Sequence, residues 1–344
     1  MKKFSAVLIL VTILVSLFSV PAMANKTQHL TGEFTDIEDH WAYKQMSELI
    51  AMGILKGYTK SVWNQGLGKM TTVQLVKPYQ KITRAEFATL LYQALNLQPE
   101  SQAAPVTDEI PYWATEAVST LYKNGIITGN PDGSFRPYNN ISRAEIVTML
   151  VKALNNKSQL TGKKFPDVPS WHWAYTNIQI ASALGIVNGL PNGKFAPVRG
   201  AERAEVLVML YQFLCKDNTQ APDDDIILSR TKKVLRTMER GINGNDPVDL
   251  TSVSDSFTGE QEVIVTDSEK VLNDLKQNGS VDYQVTYPGV VVWKSDRLAE
   301  VVYETFATFK TKDTNLEQHS KEHYFLMKTG DQWYIYSNTD ERML

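Results

Sequence analysis

Three arginines recur in one kind of setting. They are Arg84 in Thr83-Arg84-Ala85-Glu86, Arg143 in Ser142-Arg143-Ala144-Glu145, and Arg203 in Glu202-Arg203-Ala204-Glu205. Each segment precedes an apolar run at helical spacing, so each arginine falls in the first turn of a helix. Thr83 with Glu86, and Ser142 with Glu145, have the spacing of a capping box. That role accounts for the glutamates without catalysis. Glu202 stands where the third copy lacks Ser or Thr, which alters that cap but keeps a favourable carboxylate near a helix start. The arginines need another explanation, because a cation in the first turn opposes the helix dipole by roughly 0.3–1 kcal/mol when exposed. Two chemistries offset that cost. One is a structural ion pair to a nearby aspartate of the same or the next copy. The other is an anion site of guanidinium fork, helix-start N–H groups and a neighbouring Trp face, which suits a carboxylate-bearing sugar.

The elements that hold these arginines come in three copies. Each copy reads Phe/Val-x-Asp, then Trp-Ala, then Gly-Ile-x-x-Gly, then the arginine segment. The aspartates are Asp36, Asp108 and Asp167. The tryptophans are Trp41, Trp113 and Trp173. The second glycines are Gly57, Gly129 and Gly189. Repeats of this length are units that bury their apolar faces against each other, and duplication copies structural and functional residues alike. Within each copy the pattern reads helix, turn, helix. Met46 and Leu49, Val118 and Leu121, Ile178 and Ala181 stripe the first helix; Leu90, Leu91 and Leu95, Met149, Leu150 and Leu154, Met209, Leu210 and Leu214 stripe the second. Gly53, Gly125 and Gly185 stop the first helix, and Pro131-Asp132-Gly133 and Pro191-Asn192-Gly193 are tight turns. The first copy has thirteen extra residues between Gly57 and Ile82, where the other copies have twelve positions in all. The extra stretch reads either as a small hairpin around Gly66-Leu67-Gly68 or as a plain loop insertion.

This ordered set of motifs resembles the S-layer homology domain in three tandem copies, over roughly residues 34–215. The resemblance implies a mainly α repeat domain, a pseudo-threefold bundle whose grooves between repeats bind secondary cell-wall polymer through a pyruvylated amino sugar. It makes Arg84, Arg143, Arg203, Asp36, Asp108, Asp167, Trp41, Trp113, Trp173, Gly57, Gly129 and Gly189 the carbohydrate-binding candidates. His40 and His172 match the family's His before the Trp, and Tyr112 does not. The insertion in the first repeat and Glu202 in the third are departures, either of which is able to silence its groove. The expectation is that at least two grooves bind, so that multivalency holds the protein on the wall.

The bulk properties fit an exported protein. Met1-Lys2-Lys3, an apolar run from Phe4 to Val20, and Ala22-Met23-Ala24 read as a secretory signal peptide over residues 1–24. No other run is long enough to span a bilayer. Removing Lys2 and Lys3 leaves 33 basic against 38 acidic residues, a net charge of −5. No basic stripe with interleaved aromatics appears, which argues against nucleic acid. The single cysteine, Cys215, excludes an internal disulfide framework and reads as a buried thiol.

Beyond the repeats the chain changes character. Residues 25–33 are a polar leader, 34–97 repeat one with its insertion at 58–77, 106–155 repeat two, 165–215 repeat three, 216–222 a linker, and 223–344 a smaller α+β domain with a curved antiparallel sheet. In that domain Ile226 to Met238 and Asp267 to Gln277 read as helices. Val281 to Trp293, Leu298 to Phe309, His323 to Lys328 and Gln332 to Ser337 read as strands, the last two joined at Thr329-Gly330-Asp331. The order weakly resembles the nuclear-transport-factor-like or cystatin-like cone fold, which gives no function by itself. Trp293, Trp333, Tyr334 and Tyr336 fill a core or line a pocket. His319 and His323 flank Glu322, but in a segment read as a loop entering a strand and not in a zinc-protease order, so no metal, cofactor or catalytic residue is assigned.

The expected function is a secreted, non-enzymatic cell-wall protein. Its repeats bind pyruvylated secondary wall polysaccharide and its C-terminal domain meets a small ligand or protein. The alternative is a wall-anchored enzyme with its active site in residues 223–344. A lattice-forming S-layer subunit is disfavoured by the short C-terminal part.

Overall fold

The computed structural model describes residues 34–65, 68–154, 162–216, 221–244, 279–310, 315–329 and 331–343. The leader, the segment 1–24 and the helix expected at 267–277 lie outside the described residues. Two compact units result: the first takes in Glu33–Leu49 and Ile54–Gln220, the second Ala221–Leu344.

The first unit is built from three helix pairs: α1 Tyr43–Ala51 with α2 Arg84–Leu95, α3 Tyr112–Lys123 with α4 Arg143–Ala153, and α5 Tyr175–Ala183 with α6 Arg203–Lys216. The apolar stripes read from the sequence are its core: Met46, Leu49, Val118, Leu121, Ile178 and Ala181 are fully shielded from solvent, as are Leu91, Leu150 and Leu210. Each first helix ends on a glycine of left-handed conformation, Gly53, Gly125 or Gly185. There the next two amides close back on the last turn, as in Ile126 N–H to the Leu121 carbonyl at 2.9 Å. The extra residues of repeat one form a hairpin, β1 Tyr58–Asn64 paired antiparallel with β2 Lys69–Leu75, in register from Tyr58↔Leu75 to Asn64↔Lys69.

Neighbouring pairs are stitched at the starts of their second helices. Arg84 and Ala85 donate their backbone N–H groups to the Asn139 and Pro137 carbonyls, Arg143 and Ala144 to those of Arg199 and Pro197, and Arg203 and Ala204 to those of Gln80 and Pro78. The bonding thus runs from repeat one to two, two to three, and three back to one. Helix-start donors that otherwise have no partner are spent on the next repeat. Helix α2 also packs on α3, α4 on α5, and α6 on both α2 and α4.

Among its described residues the second unit is one helix, α7 Asp224–Asn243, on a four-stranded antiparallel sheet in the order β3-β4-β5-β6. Its strands are β3 Ser280–Lys294, β4 Leu298–Lys310, β5 Asn315–Thr329 and β6 Gln332–Met343. Ile227, Val234, Leu235 and Met238 of α7 meet Val285, Val301, Tyr303, Tyr324, Leu326, Trp333 and Ile335 of the sheet. Trp333 and Tyr336 are core residues, whereas the Trp293 indole bonds to Glu300 and Arg230 lies over the Tyr334 ring. Strand β5 begins well before His323. The loop expected there is strand, because residues 315–322 pair with β4 throughout.

Candidate carbohydrate-binding clefts

Each repeat's aspartate is committed to backbone. Asp36 accepts from the Val76 and Lys77 amides at 2.9 and 2.7 Å, Asp108 from Phe135 and Arg136 at 2.6 and 2.5 Å, and Asp167 from Phe195 and Ala196 at 2.9 and 2.7 Å. The second residue of each amide pair, Lys77, Arg136 or Ala196, sits at φ 59°. Two charge-assisted bonds per carboxylate therefore hold the strained loop that leads into each second helix. For Asp167 burial alone raises the carboxyl, but the two amides bring it below its ordinary range.

The arginines are buried. Arg84 and Arg143 share one arrangement. Nε donates to the carbonyl of the next repeat's phenylalanine, Phe135 at 2.7 Å or Phe195 at 2.8 Å. The guanidinium lies over that phenyl ring, at 4.9 and 5.0 Å from its centroid. Nη1 reaches the next repeat's capping glutamate, Glu145 at 2.6 Å or Glu205 at 3.4 Å. Burial pulls both guanidinium groups down from their usual range and the glutamate opposes it. The ion-pair explanation therefore applies to these two, with the capping glutamate in the role that the sequence suggested for an aspartate. The glutamates also close their own helices: Thr83 with Glu86 and Ser142 with Glu145 form complete capping boxes, and Glu202 donates its amide to Glu205 without a side-chain cap.

Arg203 differs. Its Nη1 is 4.0 Å from Glu86, beyond hydrogen-bond reach, and its buried Nε has no hydrogen-bond partner. Repeat one has Val76 where the others have phenylalanine, and the ring under Arg203 is instead Tyr58, the first residue of β1, at 4.9 Å. The Tyr58 hydroxyl donates to Glu86 Oε1, while Glu86 Oε2 serves the Thr83 amide and hydroxyl. Burial and this bond push the Tyr58 phenol up to about 12. Arg203 lines a cleft of about 260 Å³ with Ile54, Lys56, Gly57, Tyr58, Glu86 and Trp113. The cleft thus combines side chains from all three repeats.

Trp41, Trp113 and Trp173 are more than half exposed. His40 and His172 accept the Ala42 and Ala174 amides at Nδ1, and so fix the turn that carries Trp41 and Trp173. Tyr112 makes no such cap and is exposed. Gly57, Gly129 and Gly189 have positive φ. A Cβ on Gly57 meets the Phe34 ring at 2.3 Å and one on Gly189 the Phe165 ring at 2.5 Å, so these glycines let the loop pack on the phenylalanine that starts the repeat. Cys215 is only partly buried, and burial pushes its thiol up to about 11.

In the second unit a cavity of about 500 Å³ lies on the sheet. Pro288, Val290, Val292 and Val302 supply apolar walls, and Thr286, Glu304, Lys321 and His323 the polar groups. His323 Nδ1 lies 2.7 Å from Glu300, and the His319 ring stacks on Phe306 at 4.1 Å. Both histidines are strand residues. Among the described residues no group of three metal-ligating side chains comes together.

Tyr58 escaped the sequence reading because it belongs to the insertion and not to the repeat. Phe135 and Phe195 were visible only as part of the Asp/Asn-Gly-x-Phe turn, whose missing counterpart in repeat one was the available signal.

Residues 33–88, 107–147 and 164–207 match the S-layer homology domain family. An amylopullulanase of Thermoanaerobacterium thermosulfurigenes is 31% identical over 190 residues, 53% of this chain and 10% of that protein. The S-layer protein Sap of Bacillus anthracis is 28% identical over 224 residues, 64% and 24% of the two chains. A cellulosome-anchoring protein of Acetivibrio thermocellus is 32% identical over 163 residues, 45% and 33%. The chain thus spans a third or less of the length of these relatives. An IcmL-like type IV secretion system protein of Legionella pneumophila covers 36% of the chain at 10% identity with a TM-score of 0.29, too low to support a fold assignment. Three S-layer homology domains in tandem therefore make up most of the first unit.

Proposed function

We propose that the three S-layer homology domains anchor this secreted protein non-covalently to the cell wall, by binding an acidic, pyruvylated secondary wall polysaccharide in clefts between repeats. The observation that carries this reading is the cleft in which buried Arg203 stands beside Trp113, Lys56 and Gly57. A guanidinium grips an acid, a neighbouring indole face stacks on the sugar ring, and glycine lets backbone approach. The aspartates and the paired Arg84 and Arg143 act in this reading by shaping the clefts. A pseudo-threefold bundle is the arrangement that the cyclic bonding from repeat one to two to three and back supports. Relatives named as an S-layer protein and a cellulosome-anchoring protein fit the same role. Sedimentation of the mature protein with purified walls tests it: binding is expected to walls that carry the polymer and not to walls stripped of it. Equal pelleting with both contradicts it.

Residues 223–344 are then the displayed interaction domain. The second reading, an enzyme held at the wall, is favoured by the cavity lined by His323, whose ring is oriented by Glu300 as a base is oriented by a carboxylate. Turnover of wall fragments by the purified protein, abolished by His323→Gln, favours the enzyme; bound small molecule without turnover in native mass spectra favours the interaction domain.

A further inference from the structure

We propose that the three arginine positions are not equivalent. The Arg203 cleft is the one built to take the acid, and Tyr58 of the repeat-one hairpin is the positioning residue that keeps it open. This rests on the reading that the repeats bind an acidic saccharide, and it narrows the expectation of at least two binding grooves.

The three copies of one arrangement differ in how the guanidinium is held. In the first two, Nε and Nη1 of the guanidinium are bonded inside the protein. Arg84 Nε is spent on the Phe135 carbonyl and its Nη1 on Glu145; Arg143 Nε is spent on the Phe195 carbonyl and its Nη1 on Glu205. An incoming carboxylate must break those bonds and compete with a glutamate already in place. In the third copy neither of these two nitrogens has a hydrogen bond. Arg203 is 7% exposed, its Nε is unpartnered, and Glu86 stands off at 4.0 Å. A buried donor without an acceptor costs free energy, and a ligand that brings an acceptor to it recovers that cost. A carboxylate entering the cleft supplies it, against Nε and a terminal nitrogen in the fork geometry that guanidinium offers.

Tyr58 makes the difference in two ways. Its ring replaces the phenylalanine ring under the guanidinium, so the cation keeps its apolar bed. Its hydroxyl occupies Glu86 Oε1, the oxygen equivalent to those that face Arg84 and Arg143; Glu205 Oε1 is shared in the same way with Arg199, and Arg143 there stands at 3.4 Å, between the 2.6 Å of Arg84 and the 4.0 Å of Arg203. Glu86 is thereby held by Thr83 and Tyr58 and does not close on Arg203. The insertion that looked able to silence repeat one is, on this geometry, what opens its cleft.

The test is calorimetric titration of the full mature chain with the methyl glycoside of pyruvylated N-acetylmannosamine. A single equivalent per chain is expected. Arg203→Lys is expected to weaken binding at least ~10-fold, the scale of a lost charged hydrogen bond. Tyr58→Phe, which keeps the ring and frees Glu86, is expected to weaken it about 5-fold or more on the same scale, with the fold retained and the melting temperature modestly lowered. Arg84→Lys and Arg143→Lys, at residues that shape the neighbouring clefts, are expected to weaken it less than Arg203→Lys does. Should an arginine variant fail to fold, the wild-type side-chain Nε–H resonances give the same answer by NMR, with only that of Arg203 shifting on titration. Two or three equivalents, full affinity in Arg203→Lys or Tyr58→Phe, or a shift at Arg84 or Arg143 overturns the proposal while leaving wall binding intact. Absence of sugar binding by the wild type together with equal pelleting on stripped walls removes the parent reading instead.

Discussion

Arg84 reaches across a repeat boundary to Glu145, with Nη1 2.6 Å from the carboxylate, and that same glutamate caps the helix that Arg143 begins. The step recurs from Arg143 to Glu205, and at arm's length from Arg203 to Glu86. One side chain closes its own helix and receives the cation of the repeat before it, so capping and domain assembly share a residue.

The graded distances predict graded stability. Arg84→Gln leaves Glu145 half-buried without its cation and orphans the Phe135 carbonyl, a loss of about 3 kcal/mol. Arg203→Gln removes a cation with no short partner, and a loss of about 1 kcal/mol or less is expected. Urea unfolding of the two variants beside the wild type checks the order. Equal losses contradict the asymmetry of the three positions.

Two glycines with the same backbone hand separate conformational strain from packing. Gly53 at φ 72° has open space where a Cβ goes, whereas Gly57 at φ 65° has the Phe34 ring at 2.3 Å and the Leu75 carbonyl at 2.9 Å. Gly53→Ala is expected to cost ~1–2 kcal/mol from the left-handed backbone alone. Gly57→Ala is expected to cost ~3 kcal/mol or more, because overpacking adds to that strain. Thermal melts of both variants decide the point, and a Gly57→Ala protein as stable as Gly53→Ala refutes the close packing.

His40 predicts a pH dependence. Burial lowers it from its ordinary 6.5, against the pull of Asp36 and Glu202. The unfolded chain therefore takes up a proton at higher pH than the folded one. Stability from this group is complete above pH 6.5 and declines as the pH falls below that value. His40→Gln is expected to flatten the decline of melting temperature as the pH falls below about 6.5. An unchanged slope in the variant contradicts the assignment.

The repeat architecture was legible because its signals are local and threefold: apolar stripes at helical spacing, glycine stops and two capping boxes all sit within a few residues of the atoms they serve. The hairpin was legible as one of two options for the insertion, since strand-forming residues flank Gly66-Leu67-Gly68. The cleft was not. Its members Arg203, Tyr58 and Trp113 come from three different repeats, and no spacing along the chain announces which repeat meets which. The backbone bonds of the aspartates were hidden for a related reason. A carboxylate that caps a loop forty residues away, as Asp36 does for Val76 and Lys77, reads in sequence like one that faces a ligand. In the second unit the helix and the strand order were readable, but β5 was cut short because polar residues from Asn315 to Glu322 hide a strand one face of which is buried.

Competition for wall binding shows whether the pyruvate acid is what the repeats hold. The mature protein is bound to purified walls and displaced with the released secondary polymer, before and after mild acid removal of its pyruvate ketals. The account predicts displacement by the intact polymer and little or none by the depyruvylated one, because the guanidinium cleft loses the acid it holds. Displacement of equal strength by both polymers contradicts it.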